Sequence, residues 1–104
     1  MIIRICNLRD KKADFKCDRS SPLGNPYYIT TSQNRDCVCN LYEKYFYETI
    51  LNPDKSPPGA LQYLDEILQY CKTTDFDEVT LGCWCYPNRC HTQTIKEWLE
   101  MELK

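Results

Sequence analysis

The stretch from Cys83 to His91 constrains the fold more than any other part of the sequence. It contains three cysteines and the only histidine of the chain. Residues 78–82 before it predict a strand, and residues 92–103 after it carry apolar side chains at helical spacing. The reactive side chains therefore lie at a strand-to-helix junction, which is where open α/β sheets place their ligands.

The remaining pattern predicts an α/β fold in a single domain, residues 1–104, with a small parallel or mixed sheet and about three helices. A chain of 104 residues can bury one core but not two. The predicted strands cover residues 2–6, 14–18, 27–30 and 78–83. The predicted helices cover residues 36–51, 59–71 and 92–103.

Four interpretations of the junction remain open. Cys83, Cys85, Cys90 and His91 match the number of ligands that zinc takes, although their spacing differs from that of familiar zinc sites. A helix N-terminus favours thiolate, which makes Cys90 a candidate nucleophile, with Cys85 as a second candidate and His91 as general base or acid. A disulfide and simple packing of small apolar side chains are the third and fourth interpretations.

Eight cysteines in 104 residues would also suit a secreted disulfide scaffold. However, residues 1–9 lack the apolar segment and cleavage site of a signal peptide, and no apolar stretch reaches membrane-spanning length. We therefore expect a cytoplasmic protein with free thiols and no membrane contact. Four cysteines within apolar strand or helix patterns are expected to be buried and inert, namely Cys6, Cys37, Cys39 and Cys71.

The charge balance restricts the partners only weakly. Thirteen basic and 15 acidic residues give a net charge of −2, so there is no overall basic field to attract nucleic acid, although such binding is not excluded. Eight tyrosines offer stacking faces for bases, but packing is their more common use. The sequence does not predict an oligomeric state.

A second candidate segment, residues 19–27, reads Arg-Ser-Ser-Pro-Leu-Gly-Asn-Pro-Tyr. Proline and glycine shape such a turn, and its N–H groups with Ser21, Gly24 and Asn25 suit an anion nest in which Arg19 holds phosphate or carboxylate. The same residues also suit a turn that satisfies its own backbone. We expect this segment to converge with the junction, with Arg19 or Asn25 within hydrogen-bond or one-water reach of residues 85–91.

Together the two segments resemble the motifs of a family of small domains of unknown function found in bacteria and their viruses. The family pattern Arg-x-Ser-Pro-Leu-Gly-Asn-Pro-aromatic matches residues 19–27, and Cys-Trp-Cys-x-Pro-x-x-Cys-His matches residues 83–91. Residues 7–9, Arg35 and Tyr42 are similar as well. The resemblance covers almost the whole chain and implies a shared fold and a shared site, without a particular activity.

The chain departs from the family pattern at two positions. Tyr27 stands where phenylalanine is usual, and Thr92 stands where glycine or alanine often follows the histidine. Neither difference removes a candidate chemical group. The expected site is therefore complete in this sequence.

Two classes of function follow. In the first, the domain binds or processes a small phosphorylated ligand, a nucleotide or a ribose phosphate, with possible thiol chemistry. In the second, it is a zinc- or thiol-stabilised interaction module that binds protein or nucleic acid without catalysis. The helix N-terminus disfavours a charged imidazole, so His91 is expected to be neutral and able to accept a proton, ligate a metal or bond a ligand. The alternative is a histidine that caps its helix or bonds a nearby carbonyl.

Overall fold

Three parallel strands form the sheet on which the two motifs are mounted. The computed structural model describes residues 1–27 and 34–104. Strand β1, Ile2–Asn7, and the short strand β2, Phe15–Lys16, both pair with β3, Glu78–Cys83, so that β3 lies in the centre. Both pairings are parallel. The sheet is therefore parallel, whereas the sequence had left a parallel and a mixed sheet open.

Three helices accompany the sheet within the described residues. Helix α1, Arg35–Tyr45, continues directly into a π-helical segment, Phe46–Ile50. Helix α2, Ala60–Thr73, begins after a glycine with a φ of +81°, a left-handed conformation that favours glycine. Helix α3, Thr92–Glu102, begins immediately after the junction.

The core forms where the apolar faces of these helices meet one face of the sheet. Val79, Leu81 and Cys83 of β3 are buried on the same face, because successive side chains of a strand point to opposite faces, and Gly82 is buried between the last two. Their neighbours in the core come from every helix and from the loop after β2. The fully buried members include Tyr42, Phe46, Ile67, Val79, Leu81, Ile95, Leu99, Leu23 and Cys17.

The carboxyl ends of all three strands meet at one edge of the sheet. The register pairs Asn7 with Cys83 and Lys16 with Gly82, so the residues after each strand emerge side by side. Gly82 permits this close approach, because a Cβ atom there would lie 2.4 Å from the Leu8 side chain. The edge brings the loop after β2 next to the cysteine junction after β3.

The α/β fold class and the three helices confirm the sequence prediction, while several boundaries differ. The strand predicted over 14–18 is reduced to Phe15–Lys16, and the helix predicted over 36–51 changes to π-helical geometry at Phe46. Tyr27 lies in a bend, and the rest of the strand predicted over 27–30 lies outside the described residues. In the described ranges, no helix is both long and apolar enough to cross a membrane.

Candidate functional site

The two motif segments line a single cavity at the carboxyl edge of the sheet. Its volume is about 320 Å³, and both the loop after β2 and the junction after β3 contribute to its wall. The predicted convergence of the two segments is therefore confirmed. The lining residues are Asp18, Arg19, Ser20, Asn25, Cys83, Trp84, Cys85, Cys90 and His91.

The loop after β2 satisfies most of its own polar groups. The Ser21 hydroxyl donates to the Asp18 carbonyl oxygen at 2.8 Å, and the Leu23 N–H donates to the same hydroxyl at 3.3 Å. The buried Asn25 side chain accepts the Tyr27 N–H through Oδ1 at 2.9 Å. The interpretation of this segment as a turn that holds its own backbone therefore describes Ser21 and the Asn25 amide oxygen.

Arg19 and Gly24 also shape this loop. The Arg19 guanidinium donates to the carbonyl oxygens of Asn25 and Tyr27 and so closes the loop on itself. A Cβ atom at Gly24 would lie 2.6 Å from the Arg19 Cα and 2.8 Å from the Asp18 carbonyl oxygen, so glycine is required for this close approach. Ser21 and Gly24 are not among the residues that line the cavity, whereas Arg19 and Asn25 are.

A side-chain hydrogen bond joins the loop to the junction. The Trp84 Nε1–H donates to Asp18 Oδ2 at 2.9 Å, while Ser20 donates to Asp18 Oδ1 from both its hydroxyl and its backbone N–H. Burial raises the pKa of Asp18, but these hydrogen bonds outweigh it and the pKa is lowered. Asp18 is therefore an ionised acceptor in the wall of the cavity, and the Trp84 ring is held in one orientation although 55% of it is exposed.

His91 bonds a carbonyl oxygen of the loop rather than a cysteine. Its Nε2–H donates to the Cys17 carbonyl oxygen, and its ring packs edge-on against Tyr42 at a centroid distance of 4.8 Å. Burial lowers the pKa of His91, and the charge of Arg19 acts in the same direction. The ring is thus neutral, as the sequence predicted, and it takes the role of bonding a nearby carbonyl.

Helix α1 supports the site from one side. The buried Tyr42 hydroxyl donates to the Leu23 carbonyl oxygen at 2.7 Å, while Arg35 donates to the Arg89 carbonyl oxygen at 3.0 Å. Arg89 in turn donates to Asp36 Oδ1 at 3.0 Å. Tyr42 therefore positions the loop, and Arg35 positions the junction.

Asn7 supports the site from the end of β1. Its Nδ2 donates to the carbonyl oxygens of Trp84 and Tyr86, at 3.2 and 3.0 Å, and its Oδ1 accepts the Arg9 N–H at 2.9 Å. These bonds fix the backbone of the junction where it leaves β3. Asn7 therefore links the end of β1 to the junction.

Cys83 and Cys90 form the chemically distinctive part of the wall. Their sulfur atoms lie 3.1 Å apart, and both side chains are buried. The hydrogen bond from Cys90 lowers the pKa of Cys83 to about 6, although burial opposes it, and the N–H groups of Cys85 and Tyr86 add to the lowering. The same contact, together with burial, raises the pKa of Cys90.

The Thr92 hydroxyl adds to this pair without being satisfied itself. It is buried and makes no well-aligned hydrogen bond. It nevertheless lies close enough to Cys83 and Cys90 to lower the pKa of both. Because Thr92 is the first residue of α3, its hydroxyl stands at the positive end of that helix.

The thiol whose pKa is lowered is not one of the two cysteines that the sequence suggested as nucleophiles. Cys90 and Cys85 were the candidates, yet Cys83 is the thiol whose surroundings stabilise the thiolate. His91 bonds Cys17 and so does not serve as the base of Cys90 in this geometry. Cys85 lines the cavity in a half-buried position.

The zinc interpretation has no geometric support. No group of three or more His, Cys, Asp or Glu side chains in residues 1–27 and 34–104 is arranged to hold a metal ion. All eight cysteines lie in these ranges and are free thiols. Cys83, Cys85, Cys90 and His91 share one cavity wall, but His91 is turned towards the Cys17 carbonyl.

Some participants were not singled out from the sequence. Asp18, Ser20 and Cys17 follow β2 directly, and their position at the carboxyl end of a strand was the signal that could have identified them.

The predicted burial of four cysteines outside the junction is confirmed for Cys6, Cys39 and Cys71. It is wrong for Cys37, which lies on the exposed side of α1.

A comparison with protein families gives a match over almost the whole chain. The family model described as "Domain of unknown function (DUF4326)" matches residues 4–101. The chain therefore belongs to this family. No curated protein and no solved structure matches it.

Proposed function

We propose that the domain binds a small phosphorylated ligand, a nucleotide or a ribose phosphate, in the cavity between residues 18–25 and 83–91. The observation that carries the proposal is the convergence of both motifs on one cavity at the carboxyl edge of a parallel sheet. A volume of about 320 Å³ is at the lower end of the range for small-molecule sites. It suits a mononucleotide better than a dinucleotide.

Trp84 supplies the surface on which a base would stack. Its ring is largely exposed, while its Nε1–H is anchored on Asp18, so the indole is presented in a fixed orientation. An oriented aromatic face accepts any base, and stacking of this kind contributes about 1–3 kcal/mol per base. The ring costs little entropy on binding because it is already held in place.

Asp18 and Arg19 suit the sugar and the phosphate. Asp18 already accepts bonds from Ser20 and Trp84, but a carboxylate has about four acceptor positions, which leaves capacity for a ribose hydroxyl. Arg19 lies in the same wall, and its charge is near enough to lower the pKa of His91. This fixed positive charge favours a phosphate at the loop side of the cavity.

The test is a calorimetric binding series. Nucleoside monophosphates, nucleosides, ribose 5-phosphate and inorganic phosphate are titrated into the wild-type protein and into Trp84→Ala. We expect a nucleoside monophosphate to bind most tightly and Trp84→Ala to weaken its Kd about tenfold or more, because one stacking face is lost. Phe76→Ala is the matched control, since Phe76 is 71% exposed and lies before the amino end of β3.

Two results would count against the proposal. Either none of these compounds binds, or Trp84→Ala and Phe76→Ala change the Kd equally. Metal content measured on the same samples separates the second class of function. Stoichiometric zinc with no response to nucleotides would favour an interaction module.

A further inference from the structure

The proposed binding of a phosphorylated ligand does not require the contact between the Cys83 and Cys90 sulfur atoms. The two sulfur atoms are 3.1 Å apart, and closing them to the disulfide length of about 2.05 Å needs a movement of about 1 Å. Both side chains are buried, yet both line the cavity and are therefore reached through it. Of the cysteines in the described ranges, these are the two whose sulfurs are in contact.

The two thiols occupy unequal environments. Cys83 receives the S–H of Cys90 and lies near the N–H groups of Cys85 and Tyr86, and its pKa is lowered to about 6. The pKa of Cys90 is raised, first by its hydrogen bond to Cys83 and then by burial. At neutral pH the pair therefore holds one thiolate and one thiol, as thiol–disulfide exchange requires.

We propose that Cys83 and Cys90 form a redox-active dithiol that exchanges with low-molecular-weight disulfides, with Cys83 as the attacking thiol and Cys90 as the resolving thiol. The contact between the sulfurs and the opening of both side chains to one cavity carry the proposal. It is independent of the identity of any phosphorylated ligand. The Thr92 hydroxyl is unsatisfied and lies near both sulfurs. It can donate a hydrogen bond to whichever sulfur carries the negative charge during the exchange.

The exchange balances in two steps. The Cys83 thiolate attacks one sulfur of a disulfide R–S–S–R, the S–S bond of that disulfide breaks, and the leaving thiolate takes the proton of Cys90. The Cys90 thiolate then attacks Cys83 in the mixed disulfide and releases the second R–S⁻ to solvent. The protein dithiol is oxidised by two electrons, and R–S–S–R is reduced to one thiol and one thiolate.

Cys17 and Cys85 are less suitable for these roles. Cys17 is fully buried, and burial raises its pKa, so little thiolate is present at neutral pH. Cys85 is half-buried in the same cavity, so it competes with Cys83 to form a disulfide with Cys90. The experiment must therefore distinguish Cys83 from Cys85.

The test exposes the reduced native protein to oxidised glutathione at pH 7 and quenches it with acid. Trypsin cleaves after Arg89, which separates Cys90 from the peptide that contains Cys83 and Cys85. A closed pair therefore appears by mass spectrometry as two cross-linked peptides. Cys85→Ser is the matched control variant, because it leaves Cys83 as the sole cysteine of the first peptide.

Wild type and Cys85→Ser are expected to give the cross-linked pair at rates within about twofold, reversibly with dithiothreitol. Cys90→Ser is expected to stop at a glutathione adduct on Cys83. Cys83→Ser is expected to react at least about tenfold more slowly. Loss of the cross-link in folded Cys85→Ser, or no reaction of the wild type until denaturant is added, would overturn the proposal.

A measurement on the wild type covers the case in which Cys83→Ser fails to fold. Peptide-resolved alkylation of the native protein follows the rate at each cysteine as a function of pH. We expect Cys83 to react at least about tenfold faster than Cys17 at pH 7, with an inflection near pH 6. Equal rates at both cysteines would refute the assignment of Cys83 as the attacking thiol.

Discussion

The two segments that line the cavity use their polar groups in opposite ways. In the loop of residues 17–27, Arg19, Ser21 and Asn25 bond the backbone of the loop itself. In the junction of residues 83–91 and at Thr92 directly after it, two sulfurs contact each other, the Thr92 hydroxyl makes no well-aligned hydrogen bond and Trp84 is exposed. The loop is therefore mainly a frame, although Asp18 and Arg19 also line the cavity, and the junction holds the polar and aromatic groups that its own backbone does not use.

This difference shows what a sequence motif does not reveal by itself. Both segments consist of residue types that bind ligands, and both were expected from the sequence to contribute to a site. Their hydrogen bonds separate them, because a side chain already bonded to its own backbone has less capacity for a ligand. Substitutions in the frame should therefore affect folding first, and substitutions in the junction should affect reactivity first.

The largest effect is expected from Gly24→Ala in the frame. The new Cβ atom would lie 2.6 Å from the Arg19 Cα, and backbone cannot yield as a flexible side chain can. We expect a loss of about 3 kcal/mol in the free energy of unfolding, measured with urea. Pro22→Ala, in the same loop but exposed, is expected to cost about 0.5 kcal/mol or less.

A smaller loss for Gly24→Ala than for Pro22→Ala would contradict the role of the loop as a frame. The rate of alkylation at Cys83 provides the second readout. It should be unchanged in whatever fraction of Gly24→Ala remains folded, because the thiol pair makes no hydrogen bond to Gly24.

His91→Ala tests whether the histidine belongs to the frame or to the chemistry. The change removes a buried bond to the Cys17 carbonyl and the edge contact with Tyr42. We expect a loss of about 2 kcal/mol in the free energy of unfolding, since the carbonyl is left without its donor. Urea denaturation is the measurement, with Asn88→Ala, exposed in the same junction, as the control.

The nucleotide titration of folded His91→Ala provides the complementary result. Unchanged stability with complete loss of binding would show that His91 belongs to the ligand site rather than to the frame. Loss of stability with retained binding would support the frame assignment.

The pH dependence of stability tests the junction. The pKa of Cys83 is about 6 in the folded state and about 8.5 in an unfolded chain. Between these values the folded state binds about one proton fewer, so Cys83 adds stability as pH rises and this stability is lost as pH falls through 6. Urea unfolding under reducing conditions from pH 6 to 8 should show a positive slope, and Cys83→Ser should flatten it and cost about 1 kcal/mol at pH 7.

His91 adds a positive slope up to about pH 6.5, at the lower end of this window, because its lowered pKa makes the folded state bind fewer protons than an unfolded histidine. Cys90 and Cys17, whose pKa values are raised, oppose folding only where an unfolded thiol ionises, above about pH 8.5. An identical slope in the wild type and in Cys83→Ser between pH 6 and 8 would show that Cys83 is not the ionised thiol.

The fold could be predicted from the sequence because its elements have strong local signals. Strand β3, the helix after it and helix α2 follow from apolar periodicity, and their order predicts a small parallel or mixed sheet. The π-helical segment at Phe46 was not predictable, because it depends on how the helix meets the core rather than on residue spacing. The length of β2 depends on pairing to β3, which the sequence of β2 alone does not encode.

The position of the site could be predicted from the sequence, but the roles of its individual residues could not. The convergence of two loops follows from the geometry of short parallel strands, and Arg19 and Asn25 were placed in the cavity wall. The pKa values of Cys83 and Cys90 differ first because Cys90 donates a hydrogen bond to Cys83, and this contact follows only from the path of the backbone after β3. Cys37 was placed in the core because helical periodicity identifies a face only approximately.

The smallest effect is expected where the two regions join, at the hydrogen bond from Trp84 to Asp18. Trp84→Phe keeps an aromatic face but removes the Nε1–H donor, so the pKa of Asp18 should rise as one of its stabilising bonds is lost. We expect a loss of only about 0.5–1 kcal/mol in the free energy of unfolding, because the bond is partly exposed. A carboxyl ¹³C NMR titration of Asp18 in both proteins measures the effect directly. An unchanged pKa in Trp84→Phe would show that Ser20 alone holds Asp18, and the frame and the junction would then be energetically separate at this contact.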